Sequence, residues 1–266
     1  MKKYLLIFIF LFSVLSSCTF QKMFYHPDTI NTTLALSDFK YEEVWINTED
    51  NVKINGLFIK SKSEAIATIL FLHGNAGNLS GWKTTLETLV KNGFNVFIID
   101  YQGFGKSEGK PKHKNLFKDS EAALFYMKKR NDTAKTKIIV LGTSIGGHLA
   151  VSLTDKHQDK IDALVIEGAF TTHNEIATAI VPWLFKPFVK ILVRSKFKAK
   201  KHIKNVKIPK MIVHSAEDVV IPFRMGKKLH ELAAEPKTFW EIKGKHIHGL
   251  KLYPDEYVQR LKELVK

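Results

Sequence analysis

The sequence predicts an α/β protein built on a mostly parallel eight-stranded sheet with helices on both faces. Short continuous apolar runs are typical of strands that are buried on both faces. Segments with apolar residues three and four positions apart lie between these runs and indicate amphipathic helices. Strands that alternate with helices favour a parallel sheet. The 266 residues suit one large domain better than two small ones.

Eight segments have the composition of strands. The first two flank the turn residues Glu49-Asp50-Asn51 with no helix between them, so we expect them to form a hairpin. The third ends at His73-Gly74, and the later ones repeat its apolar pattern. The predicted strands cover residues 41–48, 52–59, 66–72, 95–100, 137–141, 163–166, 211–214 and 238–242.

Five further segments have helical spacing. One begins at Pro222, and the first turn of a helix accepts proline. The last one carries Tyr257, Leu261 and Leu264 on one face. The predicted helices cover residues 80–91, 115–129, 147–155, 222–233 and 254–265.

The composition excludes several classes of protein. A hydrophobic fraction of 45% excludes a disordered chain, and a single cysteine excludes a disulfide scaffold. The 41 Lys and Arg residues exceed the 26 Asp and Glu residues, which gives a formal net charge of +15. We expect no nucleic-acid partner, because the basic run lacks the interleaved aromatic residues of a base-stacking surface.

The N-terminus has the pattern of a secretory signal peptide. Lys2 and Lys3 precede an apolar run over residues 4–15, which is shorter than the roughly 20 residues of a membrane-spanning helix. The run ends in Leu15-Ser16-Ser17-Cys18, which resembles the bacterial lipobox. That resemblance implies a signal peptide at 1–17 and lipidation of Cys18. An ordinary signal peptide with a chance cysteine is the alternative.

The resemblance to a lipobox also implies a location. We expect an exported protein that is anchored by lipid to a bacterial membrane, on the periplasmic or cell-surface side. Residues 18–40 would then form a tether and lead-in segment before the folded domain at 41–266.

The strongest local motif is Gly142-Thr143-Ser144-Ile145-Gly146-Gly147, which follows one predicted strand and precedes a helix. This is the context of a nucleophile elbow, in which a sharp turn holds the serine hydroxyl out at the carboxyl end of the sheet. Glycines flank the serine because side chains there would collide with neighbouring backbone. Ser144 is therefore the candidate nucleophile.

A serine nucleophile needs a base, with an acid that orients it. If the catalytic residues follow the chain order Ser…Asp…His, the acid lies between Ser144 and the histidine. The loop after residue 214 offers two candidates, Glu217 and Asp218, and Glu167 is a third. His246 and His248 follow the last predicted strand, and His246 is favoured because it comes sooner after that strand and follows Gly244. The histidine pair lacks a carboxylate at the spacing of a zinc motif.

An oxyanion hole needs two backbone N–H groups that point at the developing charge. One is expected from Ile145, the residue after the nucleophile. The other is expected from the loop that starts at His73, where we assign it to Asn75, with Ala76 as the alternative. His73 itself is interpreted as structural.

Five motifs together make the sequence resemble the α/β-hydrolase superfamily. The resemblance is greatest to a branch of single-domain serine hydrolases with membrane-associated, depalmitoylase-like members and serine aminopeptidase-like members, and it runs from about residue 24 to the C-terminus. In this family the acid lies four residues before a proline, which implies Asp218 rather than Glu217. The matching motifs are His73–Asn78, Asp100–Ser107, Gly142–Gly147, Asp218–Pro222 and the loop with Gly244 and His246.

The resemblance implies a small helical lid at about residues 168–209. Its first part, residues 180–192, is rich in large apolar side chains that either bind an acyl chain or pack on the sheet. Its second part is basic and forms either a solvated face or a contact with anionic lipid headgroups. The basic residues are Arg194, Lys196, Lys198, Lys200, Lys201, Lys204, Lys207 and Lys210.

These residues predict a serine hydrolase that cleaves a small-molecule acyl ester or thioester through an acyl-enzyme on Ser144. His246 would move the proton, Asp218 would orient His246, and the reaction would need no metal and no cofactor. The alternatives are a peptidase of the serine aminopeptidase type and a non-catalytic acyl-binding lipoprotein.

Overall fold

The structure is a computed structural model that describes residues 24–29, 39–193 and 198–266. The expected signal peptide at 1–17 and the candidate lipidation site Cys18 lie outside these ranges. So do most of the expected tether at 18–40 and the basic residues Arg194 and Lys196.

One eight-stranded sheet forms the centre of the described fold, with strand order β10-β9-β8-β7-β4-β6-β3-β2. Neighbouring strands are parallel except at β3, which is antiparallel to both β2 and β6. A separate short pair, β1 and β5, is also parallel. The strands are β1 His26–Pro27, β2 Tyr41–Asn47, β3 Lys53–Ile59, β4 Ala67–Leu72, β5 Ala76–Gly77, β6 Phe94–Ile99, β7 Lys137–Thr143, β8 Ala163–Glu167, β9 Lys210–Ser215 and β10 Lys237–Ile242.

Helices cover both faces of the sheet. The α-helices in the described ranges are α1 Lys83–Lys91, α2 His113–Lys129, α3 Ile145–His157, α4 His173–Ile180, α5 Lys186–Leu192, α6 Ala199–His202, α7 Phe223–Leu232, α8 Gly249–Leu252 and α9 Pro254–Glu263. Short 3₁₀ turns lie at Leu79–Trp82, Gln158–Lys160 and Trp183–Phe185. No helix in the described ranges is both long enough and apolar enough to cross a bilayer.

The core is divided into two layers by the sheet. In β4, Leu70 and Leu72 belong to the layer under α2, α3 and α7, whereas Ile69 and Phe71 belong to the layer under α1 and α9. This alternation follows from the two-residue period of a strand, and burial on both faces explains why β4 reads as a continuous apolar run.

The predicted α/β-hydrolase fold is confirmed, including the hairpin of β2 and β3. The sequence prediction missed the strand pair β1 and β5 and the helix α8, because two-residue strands and a single helical turn carry no periodic signal. The sequence predicted a helical lid but not the bounds of its helices. In the structure, α4, α5 and α6 lie between β8 and β9.

The shared strand direction positions the candidate site. Strands β4, β6, β7, β8, β9 and β10 are parallel, so their carboxyl ends lie at one edge of the sheet. The loops that carry the candidate residues follow β4, β7, β9 and β10 at this edge. Loops at the carboxyl ends of parallel strands are where α/β proteins bind their ligands.

Candidate active site

Ser144 occupies a strained turn between β7 and α3. Its backbone angles are φ 55° and ψ −118°, outside the regions that a residue with a Cβ adopts readily. Its N–H donates to the Glu167 carbonyl at 2.8 Å, which ties the turn to the end of β8. Such strain costs about 1–3 kcal/mol and persists only where the surroundings fix it.

The glycines around Ser144 allow three backbone segments to meet. A Cβ at position 146 would lie 1.9 Å from the Leu72 carbonyl oxygen at the end of β4. A Cβ at position 142 would lie 2.3 Å from the Gly146 carbonyl oxygen. A Cβ at position 74 would lie 3.8 Å from the Cβ of Ser144, so the loop after β4 borders the serine.

The structure brings Asp218 and His246 together. The Nδ1 of His246 lies 2.6 Å from the Oδ2 of Asp218, although 28 positions separate the residues. A carboxylate at Nδ1 holds the imidazole proton there and leaves the lone pair on Nε2, which is the tautomer that a general base requires.

Ser144 and His246 both contact the carboxyl end of β8. Ser144 is tied to the Glu167 carbonyl, and the next residue, Gly168, lies beneath the His246 ring. A Cβ at position 168 would be only 2.9 Å from the Cε1 of His246. The candidate nucleophile and base therefore adjoin two consecutive residues of one strand end.

Asp218 is buried and held as a carboxylate. Its Oδ1 accepts hydrogen bonds from the backbone N–H groups of Val220 and Ile221, each at 2.8 Å. Burial alone would raise the pKa of Asp218. The hydrogen bond from His246, the charge of that imidazole when it is protonated, and these two N–H groups outweigh burial and lower that pKa.

The other two acid candidates support the loop that carries His246. Glu217 accepts a hydrogen bond from the Gly244 N–H at 2.8 Å, and Glu167 accepts one from the Gly249 N–H at 2.7 Å. Burial raises the pKa of Glu167, which is wholly enclosed. These two carboxylates therefore hold the two ends of the loop, a role that sequence reasoning did not assign to them.

His248 lies just before α8, and its carbonyl accepts the Leu252 N–H at 2.9 Å. Partial burial and the neighbouring charges of Lys251 and Lys245 lower the pKa of His248. It is Nδ1 of His246, and not His248, that contacts the Asp218 carboxylate.

The two expected oxyanion donors belong to segments that adjoin Ser144. Ile145 is the first residue of α3 and directly follows the serine. Asn75 follows Gly74, and its side chain donates to the Phe24 carbonyl at 3.0 Å while its own carbonyl accepts the His26 N–H at 2.8 Å. The lead-in strand thus fixes the Asn75 loop, and Ala76 is paired with His26 in β5.

His73 has the structural environment expected for it. It is fully buried, its Nδ1–H donates to the Gly74 carbonyl at 2.7 Å, and burial lowers its pKa to about 4. Asp100 lies beside it, accepts the Leu79 N–H at 2.7 Å, and has its pKa raised by burial to about 7. These contacts shape the loop after β4.

Comparison with known proteins is consistent with this architecture. The sequence profile of the family described as serine aminopeptidase, S33, matches residues 63–204, more than half of the chain. The chain belongs to this family. It is therefore a hydrolase of the α/β-hydrolase superfamily.

Two relatives share about a third of their residues with this hydrolase. The protein called "Uncharacterized protein YfhR" of Escherichia coli O157:H7 is 32% identical over 231 residues, which cover 84% of this chain and 79% of the relative. The "Alpha/beta hydrolase domain-containing protein WAV2" of Arabidopsis thaliana is 33% identical over 215 residues, which cover 76% and 70%.

A solved structure resembles this hydrolase in fold. The Pyrococcus furiosus esterase Pf2001 superposes with a TM-score of 0.75 and 23% identity, over 91% of this chain and 97% of the esterase. At that identity the likeness shows the α/β-hydrolase fold alone.

The elbow geometry predicts a sharp difference between two glycine substitutions. Gly146→Ala would place a methyl group against the Leu72 carbonyl and should destabilise the protein by about 1–3 kcal/mol or more. Gly81→Ala, at a position with nothing within 4 Å, should leave stability nearly unchanged. Chemical denaturation measures both, and equal stability of the two variants would contradict the close packing at the elbow.

Proposed function

We propose that this hydrolase cleaves an ester or thioester through a covalent acyl-enzyme on Ser144. The observation that carries the proposal is the 2.6 Å contact between Asp218 and His246, beside a serine held in a strained turn. A serine hydroxyl is a weak nucleophile alone, and an adjacent base that is oriented by a third group activates it.

The proposed reaction has two steps. Ser144 Oγ attacks the carbonyl carbon and forms a bond to it as the hydroxyl proton passes to His246 Nε2. The tetrahedral intermediate then collapses to the acyl-enzyme: the bond from the carbonyl carbon to the leaving oxygen or sulfur breaks, and His246 gives its proton to the departing alcohol or thiol. Water then attacks the acyl-enzyme, gives a proton to His246, and releases the carboxylic acid as Ser144 regains its hydrogen. Asp218 stabilises the transient imidazolium and stays ionised.

The N–H groups of Asn75 and Ile145 are proposed to stabilise the oxyanion in both steps. A single lost donor of this kind lowers kcat about 10²–10³-fold in other acyl-transfer enzymes. The hydrogen bonds from the lead-in strand to Asn75 support this role, since an oxyanion donor has to be held in place before the reaction.

Peptide hydrolysis is the second candidate, and the name of the serine aminopeptidase family favours it. The same three residues can cleave an amide, because His246 can protonate an amine leaving group. A lid that lies at a membrane surface, as proposed below, would favour an apolar acyl substrate instead. A non-catalytic acyl-binding role would leave the Asp218–His246 contact without a purpose.

Covalent labelling tests the proposal. A fluorophosphonate probe should label the wild-type protein at Ser144 and should not label Ser144→Ala, because the probe needs an activated serine. Mass spectrometry of the labelled peptide identifies the site. Equal labelling of both proteins, or none of the folded wild type, would contradict an acyl-enzyme mechanism.

We also propose that the lid faces a membrane. Several large apolar side chains of the lid are more than half exposed, an uncommon state for a soluble surface. They are Ile180 at 54%, Trp183 at 79%, Leu184 at 59%, Phe188 at 57% and Ile191 at 64%. Exposed apolar groups beside lysines are the composition of a surface that lies in a lipid interface.

Lysines of the lid would contact anionic headgroups. Lys186 and Lys190 lie on α5 among the apolar groups, and Lys198, Lys201, Lys204 and Lys207 follow. Each basic residue near such a surface contributes about 1 kcal/mol. Lys210 was expected to belong to this basic run, and the structure corrects that expectation. Its ammonium group is buried at β9 and donates to the Ala234 and Pro236 carbonyls.

The proposed lipid on Cys18 would tether the same face. The Phe24 ring lies 5.3 Å from the ring of His173, the first residue of the lid helix α4. Cys18 precedes Phe24 by six positions, which span at most about 20 Å. A lipid anchor at Cys18 would therefore bring the bilayer within reach of the lid.

Vesicle binding tests this orientation in a chain that starts at residue 18 and carries Cys18→Ser. Sedimentation with phosphatidylglycerol-rich vesicles should be reduced severalfold by Trp183→Ser with Phe188→Ser, because that change removes inserted apolar area. Phe125→Ser, at an exposed phenylalanine on α2 outside the lid, is the matched control and should bind like the parent. Unchanged binding of the lid variant would refute the proposed orientation.

A further inference from the structure

Three histidines from separate elements converge under the lid. His113 begins α2, His148 lies in α3 and His173 begins α4. Their ring centroids are 4.4 to 5.1 Å apart, and one nitrogen from each lies within 4.8 Å of the other two. None of the three belongs to the proposed catalytic residues.

Two of the three histidines are buried, and part of the cluster's hydrogen-bonding capacity is unused. His148 and His173 are 0% and 2% exposed. In the part of the chain that the structure describes, no hydrogen-bond partner is found for Nδ1 of His148 or for either ring nitrogen of His173. Buried polar atoms without a partner destabilise a protein, so an arrangement of this kind needs a reason.

Burial disfavours the charged form of these imidazoles and lowers the pKa of His113, His148 and His173, for His173 to about 4. A neutral imidazole offers a lone pair, whereas an imidazolium does not.

The neighbours of the cluster also suit this role. The Tyr25 hydroxyl lies 3.2 Å from His113 Nδ1. In the tautomer in which Nδ1–H donates to that oxygen, Nε2 of His113 carries the lone pair. Histidine ligands of metals usually donate their second N–H to such a partner, which fixes the ring and its tautomer.

We propose that His113, His148 and His173 bind a divalent transition metal of the zinc, copper or nickel type, one nitrogen from each. Imidazole ligands favour these metals over magnesium and calcium, which prefer oxygen. A tetrahedral site with metal–nitrogen bonds of about 2.0–2.1 Å places its nitrogens about 3.3 Å apart. The rings would therefore close by about 1.5 Å or less on the metal, and water would complete the coordination.

Metal binding would change one hydrogen bond. His148 Nε2 now accepts the Ala199 N–H at 3.3 Å. A neutral imidazole that gives one lone pair to a metal carries its proton on the other nitrogen, so this long hydrogen bond has to be released. Ala199 begins α6, and the metal would therefore be linked to the position of the last lid helix.

The role of this metal is structural. His148 follows Ser144 by one helical turn, and its N–H donates to the Ser144 carbonyl, but its ring packs on Phe170 and His173, which are not among the proposed catalytic residues. The metal would join the lead-in residue Tyr25 to α2, α3 and α4. It would thus lock the lid and the lead-in segment onto the sheet domain.

Metal titration of the full folded chain, purified without a polyhistidine tag and treated with a chelator, tests the site. Wild type should bind one equivalent of Zn²⁺ with a Kd below about 10 μM in competition with a chromophoric indicator. It should also gain thermal stability as Zn²⁺ is added, because a ligand that binds only the folded state stabilises it.

Two variants and one control make the test specific. His173→Phe and His113→Phe keep an aromatic ring in the cluster and should each weaken Zn²⁺ binding at least 100-fold. His230→Phe changes a histidine on α7 outside the cluster and should bind like wild type. Far-UV circular dichroism and a cooperative thermal unfolding transition report which variants are folded, independently of the proposed catalytic activity. Two outcomes would overturn the proposal. One is wild-type binding weaker than this threshold, as expected if water alone fills the cluster. The other is a folded cluster variant that binds Zn²⁺ as tightly as wild type.

Discussion

The hydrogen bond between Asp218 and His246 is the constraint on which the candidate site depends. It fixes which nitrogen of the imidazole carries the proton, and it keeps a buried carboxylate charged by supplying a partner. Without it, the effect of burial on the pKa of Asp218 would be opposed mainly by the N–H groups of Val220 and Ile221, and His246 Nδ1 would lose its carboxylate partner. Glu217 and Glu167 accept hydrogen bonds from the two ends of the His246 loop. They hold that loop in place and so help to maintain the contact between His246 and Asp218.

The sheet supplies the second requirement, which is a serine held in a conformation that it would not adopt alone. The register of Thr143 with Glu167, and the hydrogen bond from the Ser144 N–H, fasten the elbow to β8. Packing of Gly146 against the end of β4 leaves the turn no room to relax. The strain of about 1–3 kcal/mol is therefore offset by contacts of a central sheet and not of a surface loop.

Local patterns predicted much of this molecule, and contacts between distant segments explain what they missed. Continuous apolar runs located the strands, and the glycines around Ser144 located the elbow, because both signals lie within a few residues. The support that Glu167 gives to Gly249 spans 82 positions, and no spacing rule encodes it. The cluster of His113, His148 and His173 was missed for the same reason, and burial of Lys210 could not be read from a run of exposed lysines.

The turnover of two neighbouring carboxylate variants tests the central constraint most directly. Asp218→Asn should lower kcat for an activated acyl ester about 10⁴-fold, by analogy with other enzymes in which the amide favours the wrong histidine tautomer. Glu217→Gln keeps an oxygen that can accept the Gly244 N–H and should retain most of the activity. A folded Asp218→Asn protein that is as active as Glu217→Gln would contradict the account.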